Sequence, residues 1–147
     1  MFLLYDFILE SNRIEGMYSV VDRETEAHEH LLSLSNLTVP DVESFVWAIE
    51  PGAKLRRQYG MDVRVGKHVP ARGCPEVETT LETWLARLNR KEISPYDFHI
   101  AYETLHPFMD GNGRSGRALW LWGMGGIKKA PLGFLHHFYY QTLENIQ

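Results

Sequence analysis

Apolar residues recur every three or four positions along most of the chain, which is the spacing of one face of an α-helix. A first helix is predicted from Leu4 to Ile14 or Glu15, because Gly16 can adopt the left-handed conformation that ends helices. The same pattern predicts further helices over residues 28–34, 40–49, 77–88, 95–105 and from residues 111–113 toward Trp122. No repeat or linker divides the sequence, so residues 1–147 are expected to form one mainly helical domain.

The periodicity changes between residues 54 and 69, where β-favouring residues replace the helical spacing. Val63 and Val65 alternate with Arg64, and glycines on either side supply turn residues. We call this stretch the flap (residues 54–69) and predict that it is a small β-hairpin or extended segment. The expected fold class is therefore all-α with one hairpin.

The predicted helix over residues 95–105 has well-marked ends. Ser94 is expected to cap its N-terminus, Pro95 suits the first helical position, and Asp97 places a negative charge at the positive end of the dipole. Pro107 disfavours helical geometry in the residue before it, so the helix should end at or just before His106. His106 is therefore expected at a junction between helix and loop.

Composition and charge are those of an ordinary soluble domain. Of the 147 residues, 44% are hydrophobic and 23% are charged, and the formal net charge is -4. Because there is no basic surplus, bulk binding to nucleic acid is not expected. Cys74 is the only cysteine, so the chain can form neither an internal disulfide nor a cysteine zinc site, and a reducing compartment is expected.

Two apolar stretches lack the features expected of a leader peptide or a membrane span. Residues 1–9 have no basic residue before them, and Asp6 interrupts them. Residues 118–127 are about half of the roughly 20 residues that a membrane span requires. A cytoplasmic protein without membrane association is therefore expected.

The most informative part of the chain is the 106–117 segment, which joins two predicted helices. Residues 111–113 are Gly-Asn-Gly, which tolerate unusual backbone angles and let a ligand approach the main chain. They lie where the last helix begins, and unpaired amide groups at a helix start attract anions. Arg114 and Arg117 are three residues apart, which predicts both guanidinium groups on one side of the first turn, around an anion.

Two further side chains of this segment indicate phosphate chemistry. Asp110 adjoins the glycines and offers the oxygen ligands that Mg²⁺ prefers when it bridges phosphates. His106, with an ordinary pKa of about 6.5, can accept a proton from an attacking hydroxyl at neutral pH. A base, a metal carboxylate, an amide cradle and two arginines together predict attack on a nucleotide phosphate.

The 106–117 segment resembles the Fic-domain signature, His-Pro-Phe-x-(Asp/Glu)-Gly-Asn-Gly-Arg-x-x-Arg, and matches it at every specified position. The resemblance extends to the flap and to Tyr139 and Tyr140, so it implies a Fic fold over nearly the whole chain. Most members of that family are adenylyltransferases, which move AMP from ATP to a protein hydroxyl. In the family the flap pairs with a target segment as an added strand. That the transferred group is AMP follows from the resemblance alone.

The resemblance also implies a role for each residue of the segment. His106 would deprotonate a Ser, Thr or Tyr hydroxyl of a target protein, and Asp110 would hold Mg²⁺ on the ATP phosphates. Phe108 would anchor the loop in the core. Gly111, Asn112 and Gly113 would bind the α- and β-phosphates. Arg114 would bind the β- and γ-phosphates, and Arg117 would bind the γ-phosphate.

A second motif lies within residues 1–16. Ser11, Glu15 and Gly16 fit the family's inhibitory motif, (Ser/Thr)-x-x-x-Glu-(Gly/Asn). A carboxylate delivered to Arg117 would form a charge-assisted pair and compete with the γ-phosphate for the same guanidinium. We therefore expect an N-terminal inhibitory helix that lets ATP bind with its α-phosphate misaligned.

Other activities of the same residues stay open. Relatives that transfer phosphate carry lysine at the position of Gly113, which favours AMP transfer here. Glu15 could instead position a water molecule that removes AMP from a modified protein, and a non-catalytic module that binds nucleotides or partners is a third alternative. The sequence alone leaves the target protein, the type of hydroxyl and the adenine pocket open. It also leaves open whether the chain forms a homo-oligomer.

Overall fold

The computed structural model describes residues 3–130, and six α-helices make up most of this part of the chain. In chain order they are α1 (Leu4–Ile14), α2 (Asp22–Ser33), α3 (Val39–Ile49), α4 (Pro75–Asn89), α5 (Pro95–Leu105) and α6 (Asn112–Met124). The predicted mainly helical fold is confirmed. Within these residues, no helix is both long and apolar enough to cross a membrane. Tyr139 and Tyr140 lie outside the described residues.

Local sequence signals account for the ends of three helices. The hydroxyl of Ser94 accepts the N–H of Asp97 at 3.0 Å and so caps α5, which ends at the residue before His106, as predicted. Thr38 caps α3 in the same way. Helix α1 is followed by Gly16, whose φ of +79° suits glycine and ends the helix where the sequence predicts.

Helix α2 begins at Asp22, well before the predicted start near residue 28. Its first turn is polar, so the apolar periodicity does not reveal it. Glu24 in this turn is buried, and its carboxylate accepts hydrogen bonds from Asn12 of α1 at 2.6 Å and from the N–H of Val21 at 3.5 Å. A tertiary contact therefore stabilises a helix start that the hydrophobic pattern missed.

The predicted hairpin is not confirmed, because residues 54–69 contain isolated β-bridges and no strand. One bridge joins Val65 and His68 across a tight turn, with backbone hydrogen bonds of 3.0 and 2.9 Å. The other joins Leu55, at the base of the flap, to Phe108 in the 106–117 segment. The short alternating stretch around Val65 has no second alternating stretch to pair with. The backbone pairing therefore does not extend beyond the turn between Val65 and His68. The base of the flap pairs instead with the 106–117 segment.

Two apolar clusters hold the helices together. The larger is built from α2 to α6 and also buries Leu55 of the flap and Phe108, which anchors the 106–117 segment in the core as predicted. The smaller cluster packs α1 on α6 through Phe7, Ile8, Trp120 and Leu121. Helices α5 and α6 form the most extensive pair, and the 106–117 segment connects them. The candidate site therefore lies where the chain passes between the two most closely packed helices.

Candidate active site

His106 is the first residue after α5, and its backbone is left-handed, with φ of 51° and ψ of 62°. Such values are uncommon for a residue other than glycine. Its N–H donates to the carbonyl of Tyr102 at 2.8 Å, and its own carbonyl accepts a hydrogen bond from Arg56 at 2.7 Å. The backbone of this residue is therefore fixed on both sides.

The imidazole of His106 is half-buried and neutral at pH 7. Burial lowers its pKa to about 4, and the charges of Arg56 and His68 act in the same direction. A hydrogen bond to the backbone of Glu103 and the negative charge of Glu15 oppose this shift in pKa. Because a neutral imidazole can accept a proton, the ring can serve as a general base over the physiological pH range.

The side chain of Asn112 braces the loop that follows. Its Oδ1 accepts the N–H of Phe108 at 2.8 Å, and its Nδ2 donates to the carbonyl of the same residue at 2.7 Å. The N–H of Met109 donates to the carbonyl of Lys54 at 2.9 Å, which joins the loop to the flap. Both polar ends of the Asn112 amide are thus engaged, so this residue can offer a ligand its backbone N–H rather than its side chain.

Helix α6 opens with unpaired backbone donors. Gly111 caps the helix with a φ of +78°, which glycine adopts without strain. Among the described residues, no acceptor is found for the N–H groups of Asn112, Gly113 and Arg114. At the positive end of a helix dipole such groups attract an anion. We call these three N–H groups the amide cradle.

Arg117 is 2% exposed, and residues of α1 and its C-terminal end engage its guanidinium. Its Nε donates to Oγ of Ser11 at 2.8 Å, and one terminal nitrogen donates to the carbonyl of Ser11 at 3.0 Å. The same nitrogen donates to Oε1 of Glu15 at 2.9 Å. The structure thus brings together the two motifs that the sequence singles out. The Glu15 side chain remains 39% exposed, so its carboxylate borders solvent.

The Glu15 carboxylate also lies against the amide cradle. A Cβ built on Gly113 would collide with Oε1 of Glu15 and would lie 3.1 Å from a guanidinium nitrogen of Arg117. Glycine is therefore the residue that leaves room for the carboxylate at this position. The charge of Glu15 also raises the pKa of His106, so this carboxylate acts on the imidazole as well as on Arg117.

The side chains of Arg114 and Arg117 have different partners in this structure, so their predicted pairing around one anion stays a prediction. Arg114 is buried, and it donates to Oε2 of Glu50 at 2.6 Å and to the carbonyl of Ile49 at 3.1 Å. Both acceptors lie at the C-terminal end of α3. The three-residue spacing brings the two backbones to one side of α6, but each long side chain follows its own carboxylate partner. Arg114 therefore ties α6 to α3, and Arg117 is the arginine beside the cradle.

Asp110 is exposed in the turn before α6. Its Oδ1 accepts the N–H of Gly111 at 2.8 Å, which orients the carboxylate and leaves Oδ2 for a ligand. Within residues 3–130, no group of three or more His, Cys, Asp and Glu side chains is arranged to hold a metal ion. Proteins commonly bind Mg²⁺ through one or two carboxylates together with phosphate oxygens and water. A single exposed carboxylate therefore fits a metal ion that arrives with a nucleotide.

Sequence reasoning missed two charged residues of the site, one buried and one half-buried. Arg56, in the flap, is fully buried and reaches the end of α5. Glu103 lies one turn before His106, and its Oε1 is buried without a hydrogen-bond partner in the part of the chain that the structure describes. Burial raises the pKa of Glu103 to about 7, although the charge of Arg117 opposes the rise. Each is a charged residue near an apolar run, a signal too common to single out either one.

A sequence model of the Fic/DOC family matches residues 24–122, which is well over half of the chain. The protein therefore belongs to the Fic/DOC family. Members of this family commonly transfer AMP or related groups to other proteins. The matched range contains the whole 106–117 segment and the flap, whereas the residues of α1 that bind Arg117 lie before it.

Proposed function

We propose that the protein is an adenylyltransferase that moves AMP from ATP to a Ser, Thr or Tyr hydroxyl of a target protein. The observation that carries this proposal is the neutral imidazole of His106 at the start of the loop that leads into the amide cradle, with the Glu15 carboxylate against Gly113 of the cradle. A neutral base beside an anion site suits a reaction in which a hydroxyl attacks a phosphate. Family membership supports a nucleotide as the source of the transferred group.

In the proposed reaction, the target hydroxyl gives its proton to the His106 ring while its oxygen attacks the α-phosphorus of ATP. A bond forms between that oxygen and the α-phosphorus, and the bond from the α-phosphorus to the oxygen that bridges to the β-phosphate breaks. Pyrophosphate leaves with the electron pair of that bond, and AMP stays on the target as a phosphodiester. The amide cradle would stabilise the negative charge on the phosphate oxygens during this step.

Two side chains would hold the rest of the nucleotide. Arg117 would pair with the γ-phosphate once Glu15 leaves its guanidinium. Asp110 would hold Mg²⁺, which when bound neutralises charge on the phosphates and on the leaving pyrophosphate. We leave Arg114 out of this set, because its guanidinium is already bound to Glu50.

We further propose that α1 restrains this reaction. The Glu15 carboxylate pairs with the guanidinium that the γ-phosphate would need, and it lies against Gly113 of the cradle. ATP could still enter the site, but its phosphates would be displaced from the position for in-line attack. Removal of this carboxylate should therefore release the activity while the base stays in place.

The proposed chemistry is tested with Glu15→Gly protein in a cell lysate that contains ATP labelled at either the α- or the γ-phosphate. AMP transfer labels proteins from α-labelled ATP alone, whereas phosphate transfer labels them from γ-labelled ATP alone. Glu10→Ala is the matched control, because Glu10 lies on the same helix and pairs with the exposed Arg13. Label from γ-labelled ATP alone would contradict the proposal. So would the absence of label from Glu15→Gly protein that binds ATP, which is the behaviour of a non-catalytic module.

Removal of AMP from a modified protein is a second candidate, favoured by the exposure of Glu15. Its carboxylate borders solvent, and its charge raises the pKa of His106. There it could hold a water molecule that attacks the phosphorus and passes a proton toward the target oxygen, so that the phosphorus–oxygen bond to the target breaks and AMP leaves. In that case Glu15→Gly protein would lose AMP release from a labelled substrate and would gain no transfer.

The flap is the proposed docking element for the target protein. Its tip lies next to the site, because a ring nitrogen of His68 is 3.1 Å from the carbonyl of Thr104 and the charge of His68 lowers the pKa of His106. A target segment bound along the flap would bring its hydroxyl toward that imidazole. We propose a cytoplasmic setting for this encounter, where the substrate ATP and the cofactor Mg²⁺ are plentiful.

A further inference from the structure

Arg56 is 0% exposed, and backbone carbonyls surround its guanidinium. Its Nε donates to the carbonyl of His106 at 2.7 Å, and one terminal nitrogen donates to that of Leu105 at 2.9 Å. The other terminal nitrogen donates to the carbonyls of Met61 at 3.2 Å and Ala71 at 2.8 Å. One side chain thus joins the end of α5 to the chain on both sides of the flap tip.

The two carbonyls at the end of α5 are groups that a helix leaves unpaired. The last carbonyls of an α-helix have no intrahelical donor, and the helix dipole favours a cation beside them. The left-handed conformation of His106 is unfavourable for a residue with a Cβ, so its neighbours must hold it. A planar guanidinium can fix two successive carbonyls at once, which a single ammonium group does less well.

We propose that Arg56 is a positioning residue, which binds the carbonyls of Leu105 and His106 and so aims the His106 imidazole at the reacting hydroxyl. This inference rests on the proposed function, in which His106 is the base. Arg56 acts through the backbone of that residue and not on the substrate. Its charge supports the same role, because it adds to the larger effect of burial in lowering the pKa of His106.

Two substitutions separate the shape of the Arg56 side chain from its charge. Arg56→Lys keeps the charge and loses the planar fork, whereas Arg56→Gln loses both. The matched control is Arg23→Gln, because Arg23 lies outside the flap and the 106–117 segment and its Nε also donates to a backbone carbonyl, that of Ala48 in α3. All three changes are made in Glu15→Gly protein, so that AMP transfer is measurable.

We expect kcat to fall about 10- to 100-fold in both Arg56 variants while the KM for ATP changes little, because a misplaced base slows the chemical step. Arg23→Gln should keep kcat within about twofold of the parent, because its hydrogen bond reaches α3 and not the carbonyls at the end of α5. In NMR titrations, the pKa of His106 should rise in Arg56→Gln and stay low in Arg56→Lys.

An unchanged kcat in folded Arg56→Lys would overturn the proposal, and so would an unchanged pKa of His106 in folded Arg56→Gln. A measurement on the unsubstituted chain decides the matter if both variants unfold. There, a through-bond NMR coupling between the Nε–H of Arg56 and the carbonyl carbon of His106 is expected, and its absence would overturn the proposal. Because the NMR measurements do not require activity, a lack of AMP transfer in the Glu15→Gly parent would count against the proposed function alone.

Discussion

The pKa of His106 sets the acid limit of the proposed reaction. A general base must be deprotonated, and burial lowers this pKa from the usual 6.5 to about 4. We therefore expect kcat/KM for AMP transfer by Glu15→Gly protein to stay level as the pH falls through 6.5 and to decline only near pH 4. Initial rates across this range, on samples that circular dichroism shows to be folded, provide the measurement.

Two histidine substitutions serve as controls for that profile. His106→Ala should slow transfer by about 10²–10⁴-fold at every pH, the usual cost of removing a general base. His30→Ala, at an exposed position of α2, should leave the profile unchanged. If the rate already falls at pH 6.5 and His106→Ala removes that fall, the pKa of this histidine is not lowered in the active protein.

Arg114 and Arg117 are expected to behave differently although only three residues separate them. In the Glu15→Gly background, Arg117→Ala should weaken binding of ATP more than binding of ADP, because its partner is the γ-phosphate. Arg114→Ala should instead lower the melting temperature, because it leaves Glu50 and the carbonyl of Ile49 without their donor. Calorimetry with both nucleotides measures the difference, and an equal loss of ADP and ATP affinity in Arg117→Ala would refute its assignment.

Helix α2 carries a buried histidine that couples the stability of the fold to pH. His28 packs against the rings of Phe7 and Phe45, and its Nδ1 donates to the carbonyl of Glu24 at 2.7 Å. Burial lowers the pKa of His28 to about 4, and the charge of Arg114 adds to this effect. The folded protein therefore holds this imidazole neutral at pH values where an exposed histidine takes up a proton.

The free energy of unfolding should fall as the pH drops from about 6.5 toward 4. Over this range the unfolded chain binds a proton at His28 that the folded chain excludes, which costs up to about 1.4 kcal/mol per pH unit. Urea unfolding at several pH values should show that His28→Gln reduces this slope. His30→Gln, on the exposed face of the same helix, should not. An equal slope in wild type and His28→Gln would show that His28 is not the source.

Element ends were predictable where the signal lies within a few residues. The cap at Ser94 and the glycine at Gly16 mark the ends of α5 and α1 in the sequence itself. What the sequence did not reveal depends on partners far along the chain. The start of α2 relies on the contact between Glu24 and Asn12, and the direction of the Arg114 side chain relies on Glu50. Periodicity carries no information about such contacts.

Across the whole molecule, the proposed restraint depends on how α1 docks. Ile8 is buried in the small cluster between α1 and α6, and it is not one of the residues that hydrogen-bond to Arg117. Ile8→Ala should leave a cavity that weakens this docking, since such truncations cost about 2–5 kcal/mol. Transfer should therefore rise severalfold while Glu15 is still present. Hydrogen exchange of the α1 amides should become faster in the same protein.

A core substitution elsewhere gives the comparison for Ile8→Ala. Leu81 is equally buried, but it belongs to the larger cluster and lies on α4. Leu81→Ala should lower the melting temperature to a similar extent without raising transfer. If both variants activate the protein alike, general loosening of the fold releases the activity, and the docking of α1 is not the specific restraint.

Initial rates of AMP transfer test most directly whether Glu15 restrains an adenylyltransferase. Glu15→Gly should exceed wild type by about 10- to 100-fold, because a carboxylate–guanidinium pair of roughly 1.4–2.8 kcal/mol corresponds to that ratio. The gain should disappear in Glu15→Gly/Arg117→Ala, where the released guanidinium is missing, and no transfer should remain in Glu15→Gly/His106→Ala. Equal rates for wild type and folded, ATP-binding Glu15→Gly protein would contradict the restraint by Glu15.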